Sequence, residues 1–394
     1  MRANLFLTAY AQVADIDLAV VPVAGPALID PRTAALCRRS TIIEVDGVDS
    51  HFALVQAVAD NPARLAAFAR YGAPAVTAFL TRGVVDRLAA FAARESYALV
   101  HVSRTYMGDL AAPWRGVAGT RTVIDCDEVD SEVLTGIARL ERQAGCAEAA
   151  AWARIDARHL DRHARGVLPG FDLCFAASQP EAAELAAMRT GRDVHVLANP
   201  APSGRAIHLP PARGERVILL VGTMNYGPNV EGAVWFARQI LPWIQRRART
   251  GVRLVIAGHR PAARVRRLGA LRGVTVAGTV PDLRPLYGIA DIVVAPLRAG
   301  GGTRIKILEA ARMGRACVST RVGARGLDVR HGRDIWLADD RVDFGRACLR
   351  LLHHPELAGR LASNAARILL PLHNPARLRD RILRSTGLGG GHET

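Results

Sequence analysis

One stretch constrains this chain more than any other. The apolar run Ile292 to Ala295 leads into Pro296-Leu297-Arg298-Ala299, then three consecutive glycines, Gly300, Gly301 and Gly302, then Thr303-Arg304-Ile305-Lys306-Ile307-Leu308-Glu309 with helical apolar spacing. A strand that breaks at glycines and restarts as a helix is the local plan of a parallel α/β sheet. Glycine permits close backbone approach and positive φ. A helix start adds unpaired N–H groups and the positive end of its dipole, which together suit an anion such as a diphosphate. Thr303 can cap the helix or donate to a phosphate oxygen. Lys306 and Glu309 follow one turn apart and are expected near the mouth of the turn. Spacing alone also allows an ordinary strand-to-helix turn with Lys306 and Glu309 as a solvated ion pair. Lys306 is the only lysine among 52 basic side chains. Ammonium and guanidinium are not interchangeable at a tight phosphate site, which favours the anion reading.

The surrounding half repeats the same alternation. Val217 to Val221, Leu254 to Ala257, Val274 to Ala277, Ile292 to Ala295 and Ala316 to Ser319 read as strands. Helical patterns lie between them over Pro228 to Arg249, Pro261 to Leu271, Asp282 to Ile289 and Arg304 to Met313. Short apolar strands alternating with helices predict a parallel sheet buried on both faces, with ligands at the carboxyl ends of the strands.

The first half shows the pattern less clearly. Ile16 to Val23, Ala98 to Ser103, Thr122 to Ile124, Leu173 to Ala177 and Val194 to Leu197 are strand candidates. Pro62 to Ala93 reads as helix, capped by Asn61 and broken near Gly72 and Pro74. Asp130 to Gly166 reads as helix interrupted at Gly145. Met1 to Val13 resembles the helix of a βα unit whose first strand and glycine loop are missing. The expected division is 1–199, a linker at 200–214, 215–372, and a final helix and tail at 373–394.

With 394 residues and half of them hydrophobic, the chain can bury two cores. No stretch of about 18 apolar residues suggests a membrane span. No signal peptide is evident, so a cytoplasmic location is expected. Six cysteines without Cys-x-x-Cys spacing read as small buried residues. The net charge of +16 has two readings: attraction to an anion, including peripheral contact with an anionic membrane, or arginine-rich coding. Basic runs such as Arg246-Arg247-Ala248-Arg249 lack interleaved aromatics, which argues against nucleic acid.

These segments together resemble family 4 glycosyltransferases, retaining enzymes of the GT-B fold, in a bacterial exopolysaccharide-type branch. The resemblance runs through Gly222-Thr223-Met224-Asn225-Tyr226-Gly227-Pro228-Asn229-Val230, Ile256-Ala257-Gly258, Gly278-Thr279-Val280-Pro281-Asp282-Leu283 and the glycine loop to Glu309. In the first half it includes Asp125 to Ser131 and Phe171 to Ser178. It implies two Rossmann-like, doubly wound parallel-sheet domains facing a cleft, with a nucleotide-diphosphate sugar on the second and a glycan, lipid-linked or small-molecule acceptor on the first. It implies donor contacts from Gly222, Thr223, Met224, Gly258, His259, Thr279, Val280, Arg298, Gly300, Gly301, Gly302, Thr303 and Arg304. Lys306 would meet the diphosphate and Glu309 the ribose hydroxyls. Glu309 matches the second glutamate of the family's Glu-x7-Glu motif, while the first falls on Gly301, so the contacts to the sugar depart from the pattern. The family typically needs no metal, and no cofactor is expected beyond the nucleotide-sugar as co-substrate.

In the first half, Asp127 is the candidate at the reaction centre, with Arg104 and Asp125 on the acceptor side. Asp125-Cys126-Asp127 also reads as Asp-x-Asp, a metal-diphosphate motif of another fold, or Asp127 as a helix cap. Arg104 has the alternative of a surface arginine. His101, His195 and His259 are isolated and read as structural, with His259 placed to touch the donor. A nucleotide-sugar epimerase of the same fold and a non-catalytic nucleotide-sugar-binding descendant remain as alternatives.

Overall fold

The computed structural model describes residues 2–23, 27–93, 95–190, 193–202, 214–302 and 304–389. It divides into two compact units, Met1–Pro200 with Pro375–Thr394, and Ala201–Asn374. Most of the proline- and glycine-rich stretch expected as a linker, 203–213, lies outside the described residues.

In the first unit β1 (Asp17–Val20) pairs with β2 (Arg39–Ile42) as a small parallel sheet of its own. The main sheet runs β3 (Leu99–Ser103), β4 (Arg121–Asp127), β5 (Leu173–Ala176), β6 (Val194–Val196) in that order, all parallel. Alternate side chains serve opposite faces, as strand periodicity requires. Ile124, Cys126 and Cys174 pack with Ala164, Val167 and Leu185. Val123, Leu173 and Phe175 pack with Leu5, Phe6 and Ala9 of the helix Arg2–Tyr10, and with Leu378, Ile382 and Leu383 of the helix Pro375–Thr386. The terminal helix, which the sequence sets apart with the tail, therefore completes the core of the first unit. The helix expected from Pro62 is capped by Asp60 rather than Asn61: the Asp60 carboxylate accepts from Ala63 N at 2.8 Å, and Asn61 is already helical. Its side chain donates to Glu148 instead.

The second unit holds β7 (Arg216–Val221), β8 (Val252–Ala257), β9 (Val274–Gly278), β10 (Ile292–Ala295), β11 (Ala316–Ser319) and β12 (Trp336–Leu337). Their order is β12-β11-β10-β7-β8-β9, and every pair is parallel. The first strand of the unit thus has the second on one side and the fourth on the other. That is the doubly wound arrangement, with its switch point between β7 and β10. Ile218 and Leu220 enter one core while Val217, Leu219 and Val221 enter the other. Burial on both faces explains why β7 is a continuous apolar run. Each such side chain stabilises by about 1.5–3 kcal/mol. The Asp291 carboxylate accepts from Val217 N and Arg216 Nη1, each at 2.7 Å, which pins β10 beside β7.

The helix after β7 is less regular than its spacing predicts. Gly227–Trp235 passes through a π turn, Phe236–Ile240, into Leu241–Gln245. Pro242 has no N–H to give the ladder, and Leu241 N reaches back five residues to Phe236 O. Two helices the sequence did not mark, Arg341–His353 and Pro355–Leu372, cover the sheet through Phe344, Cys348 and Leu351 on one face and Ala365 and Leu369 on the other.

Candidate functional site

Three strands of the second unit end in glycines that bring their loops together. Gly222 follows β7, Gly258 follows β8 and Gly278 ends β9, with Gly258 N donating to Gly278 O at 2.7 Å. A Cβ on Gly258 would lie 1.7 Å from the Gly222 carbonyl oxygen, so no side chain fits there. Met224 N donates to His259 O at 2.8 Å, and Ala262 N to Met224 O at 2.9 Å. Gly222, Thr223, Met224, Gly258 and His259 thereby form one backbone cluster, with Met224 buried and the His259 side chain exposed. Thr279 and Val280 follow the edge strand β9, the first exposed and the second half-buried.

The loop after β10 packs against the start of the helix after β7. At Gly232 an added Cβ would fall 2.6 Å from Pro296 O, so glycine sets how closely helix and loop approach. Gly300 lies beside Pro228 and the Arg304 guanidinium. Arg304 is buried and its Nη1 donates to Gly301 O. Arg298 does not point free: it pairs with the Glu231 carboxylate and lies 4.8 Å from the Trp235 ring centroid. The structure thus gives Arg298 the task of holding the loop to the helix. Thr303 lies outside the described residues. The helix Ile305–Arg312 starts without a side-chain cap, and Ile307 N donates to Arg304 O at 2.9 Å within its first turn.

Lys306 and Glu309 are not a solvated pair. Lys306 is buried and its Nζ donates to Asn229 Oδ1 at 2.7 Å. Burial, with the neighbouring Arg304 charge, pulls its amine down to about 7. Among the described residues no carboxylate forms an ion pair with it. Glu309 accepts from the Tyr287 hydroxyl at 3.0 Å. Burial raises its carboxyl against the pull of Tyr287 and Lys306. A buried amine held by a neutral amide oxygen, a helix start and glycine loops converge at the switch point, an arrangement that stabilises an incoming anion.

In the first unit Asp125 and Asp127 part company. Asp125 is buried and engaged by Arg2, through Nε at 2.8 Å and Nη2 at 2.6 Å. Arg2 also donates to Leu197 O at 2.6 Å. Asp125 is therefore a buried structural anchor, and its carboxylate is not presented to an acceptor or, jointly with Asp127, to a metal. Asp127 follows a bulge in the β4–β5 register and has φ +53°. It accepts from Asn199 Nδ2 at 2.9 Å, with Arg104 Nη2 at 3.6 Å. Arg104 has φ +79° at the end of β3 and donates to Glu128 at 2.8 Å. Two non-glycine residues with positive φ at adjacent strand ends store strain of the kind that marks functional sites. Beside them burial pushes Asp130 up to about 7, against the pull of Arg104, and its Oδ2 has no hydrogen-bond partner among the described residues. Among the described residues no group of three or more His, Cys, Asp or Glu side chains is placed to hold a metal ion. His101 bonds Tyr10 at 3.0 Å and is held down to about 3 by burial and Arg2. His195 bonds Ser385 at 3.2 Å. Both are structural.

Several residues of these clusters escaped the sequence, among them Arg2, Asp130, Asn199, Asn229, Glu231 and Tyr287. Asn229 alone carried a signal, a polar residue following the proline of a helix start.

Residues 215–354 match the family described as Glycosyl transferases group 1. A protein described as "Uncharacterized 44.6 kDa protein in cps region" from Klebsiella pneumoniae is 25% identical over 138 residues. That alignment covers 33% of this chain and 35% of the relative, so the chain spans about a third of the curated relative's length. The fold is similar to sucrose-phosphate synthase from Thermosynechococcus elongatus, with TM-score 0.66 and 16% identity over 97% of this chain and 90% of that one. It is also similar to Anabaena Alr3699/HepE in complex with UDP and glucose, with TM-score 0.64 and 14% identity over 98% and 95% of the two chains. The two Rossmann-like units are those of the GT-B fold. No helix among the described residues is long and apolar enough to cross a membrane.

Proposed function

We propose that the chain is a retaining glycosyltransferase of family 4 that moves a hexosyl group from a nucleotide-diphosphate sugar to a glycan, lipid-linked or small-molecule acceptor. The observation that carries the reading is Lys306: a buried amine without a carboxylate partner among the described residues, set between glycine loops where β7 and β10 end. A buried charge needs a counter-charge, and a diphosphate supplies it. The group 1 match over residues 215–354 supports the same assignment.

In this reading the second unit holds the donor. Lys306 and the helix start stabilise the departing diphosphate, where negative charge grows in the transition state. Glu309 accepts from the ribose hydroxyls. The first unit takes the acceptor, with Asp127 at the reaction centre and Arg104 beside it. Retention without a placed nucleophile points to a front-face path. The relative from a cps region supports a role in exopolysaccharide synthesis, at the inner face of the membrane. Transfer proceeds without a metal, so activity survives EDTA; full loss on chelation, restored by manganese or magnesium, contradicts this.

A thermal-shift panel of nucleotide-sugars and free nucleotides tests the reading, because a ligand of the native state stabilises it by mass action. Transfer of the sugar to an acceptor, read by product analysis, separates a transferase from an epimerase. Binding without turnover marks a non-catalytic descendant.

A further inference from the structure

The amide of Asn229 is held from both sides. Its Nδ2 donates to Thr223 O at 3.0 Å, and its Oδ1 accepts from Lys306 Nζ at 2.7 Å. The carbonyl of Thr223 can only accept, and an ammonium can only donate, so the amide has a single orientation. Asn229 is buried on the helix after β7, and Lys306 is buried on the helix after β10. One side chain therefore ties the β7 loop to the cation of the β10 loop across the switch point.

Among the described residues few other groups face Lys306. Arg304 precedes it on the loop and repels it, Glu309 on the same helix attracts it, and the Cys317 thiol of β11 lies near it. Glu309 is engaged by Tyr287. The Cys317 thiol is pushed up to about 12 by burial and is neutral at physiological pH. What touches the amine is thus a neutral oxygen.

We propose that Asn229 is a positioning residue that aims Lys306 at the diphosphate and, being neutral, leaves the counter-charge for the ligand to bring. This rests on the reading of the second unit as a nucleoside-diphosphate site. The chemistry explains why the position is an amide. An aspartate here would accept the same hydrogen bond but would close a buried ion pair, and the incoming diphosphate would then compete with a permanent carboxylate. An alanine would leave the ammonium unaimed.

The test uses the full chain and its Asn229→Asp and Asn229→Ala variants. Dissociation constants for UDP, GDP and ADP are measured between pH 6 and 9, with circular dichroism and thermal melts to confirm folding. The parent binds one of the nucleoside diphosphates, and its affinity weakens as pH rises through the neutral range, because the protonated amine makes the contact. Asn229→Asp is expected to fold, to bind that nucleotide at least about tenfold more weakly at pH 7, and to show its pH break at a higher value than the parent. A purely structural role for Asn229 would not move that break. Asn229→Asp with parent affinity and an unchanged break overturns the proposal. If Asn229→Asp does not fold, Asn229→Ala decides: a loss of several-fold in affinity with a displaced break supports the proposal, and parent-like binding overturns it. A parent that binds none of the nucleotides removes the underlying reading, and the inference with it.

Discussion

Tyr287 donates its hydroxyl to Glu309 Oε2 across 3.0 Å, joining the helix Arg284–Ile289 to the helix Ile305–Arg312 next to the strand end where the nucleotide is expected. The bond occupies one carboxylate oxygen and fixes the direction of the other. It also opposes the upward push of burial on the Glu309 carboxyl. Tyr287→Phe should leave Glu309 more easily protonated and less well aimed, weakening nucleotide binding by about 0.5–1.5 kcal/mol. Glu309→Gln should weaken it further, chiefly through KM rather than kcat. Titration calorimetry with the bound nucleotide and steady-state kinetics check both.

Arg104 carries φ +79°, a conformation costly for any residue with a Cβ. Arg104→Ala and Arg104→Gly both remove the guanidinium from Glu128, and they differ in backbone strain. The glycine variant should be the more stable of the two by about 1–2 kcal/mol in urea unfolding. Equal stabilities would mean that the strand end is unstrained. Both should lose acceptor-dependent turnover.

Burial raises Asp130 from 3.8 to about 7. The unfolded chain ionises it near 4 and the native chain near 7, so any stability it contributes is complete below the first value and falls as pH rises to the second. Asp130→Asn should therefore gain on the parent between pH 4 and 7. The relative gain should be on the order of 2 kcal/mol, discounted for the partial exposure of the group. Melting temperatures of the pair across that range check the sign.

Lys306 shifts the other way, from 10.5 down to about 7. Above pH 7 the native amine has lost its proton while the unfolded one keeps it, so the parent gains stability relative to Lys306→Met as pH climbs toward 10. Parallel urea curves at pH 7 and pH 9 read this directly, and a gap that stays constant would contradict the burial of a charged amine.

Much of the second unit was legible because its constraints are local. An apolar run such as Val217 to Val221 announces a strand buried on two faces, and a glycine at Gly222 or Gly258 announces a close approach of backbones. Partnership across the sheet was not legible. The burial of Lys306 depends on Asn229, 77 residues earlier, and nothing in the spacing from Gly300 to Glu309 marks it. Asp125 and Asp127 have the same spacing on one strand face, yet the register shift and the positive φ at Asp127 leave Asp125 bonded to Arg2 and Asp127 at the strand end beside Asn199. Arg298 looked free for a phosphate because Glu231 lies 67 residues away. The cap moved from Asn61 to Asp60 because the two neighbours are equally good candidates, and only backbone direction chooses between them. The helices Arg341–His353 and Pro355–Leu372 carry amphipathic patterns that bury Phe344, Leu351, Leu361 and Leu369.

The most direct test of Lys306 as the diphosphate-binding cation is nucleotide binding by the folded full chain and its Lys306→Ala and Lys306→Arg variants. Calorimetry with UDP, GDP and ADP should find one that binds the parent. Lys306→Ala should weaken it by about 1.5–3 kcal/mol, roughly 10- to 150-fold, with an unchanged circular dichroism spectrum. Lys306→Arg should be impaired as well, because a planar guanidinium does not fit the space of a compact ammonium against Asn229. If the parent binds none of these nucleotides, or if both folded variants bind as the parent does, the glycine loop is only a turn and the assignment fails.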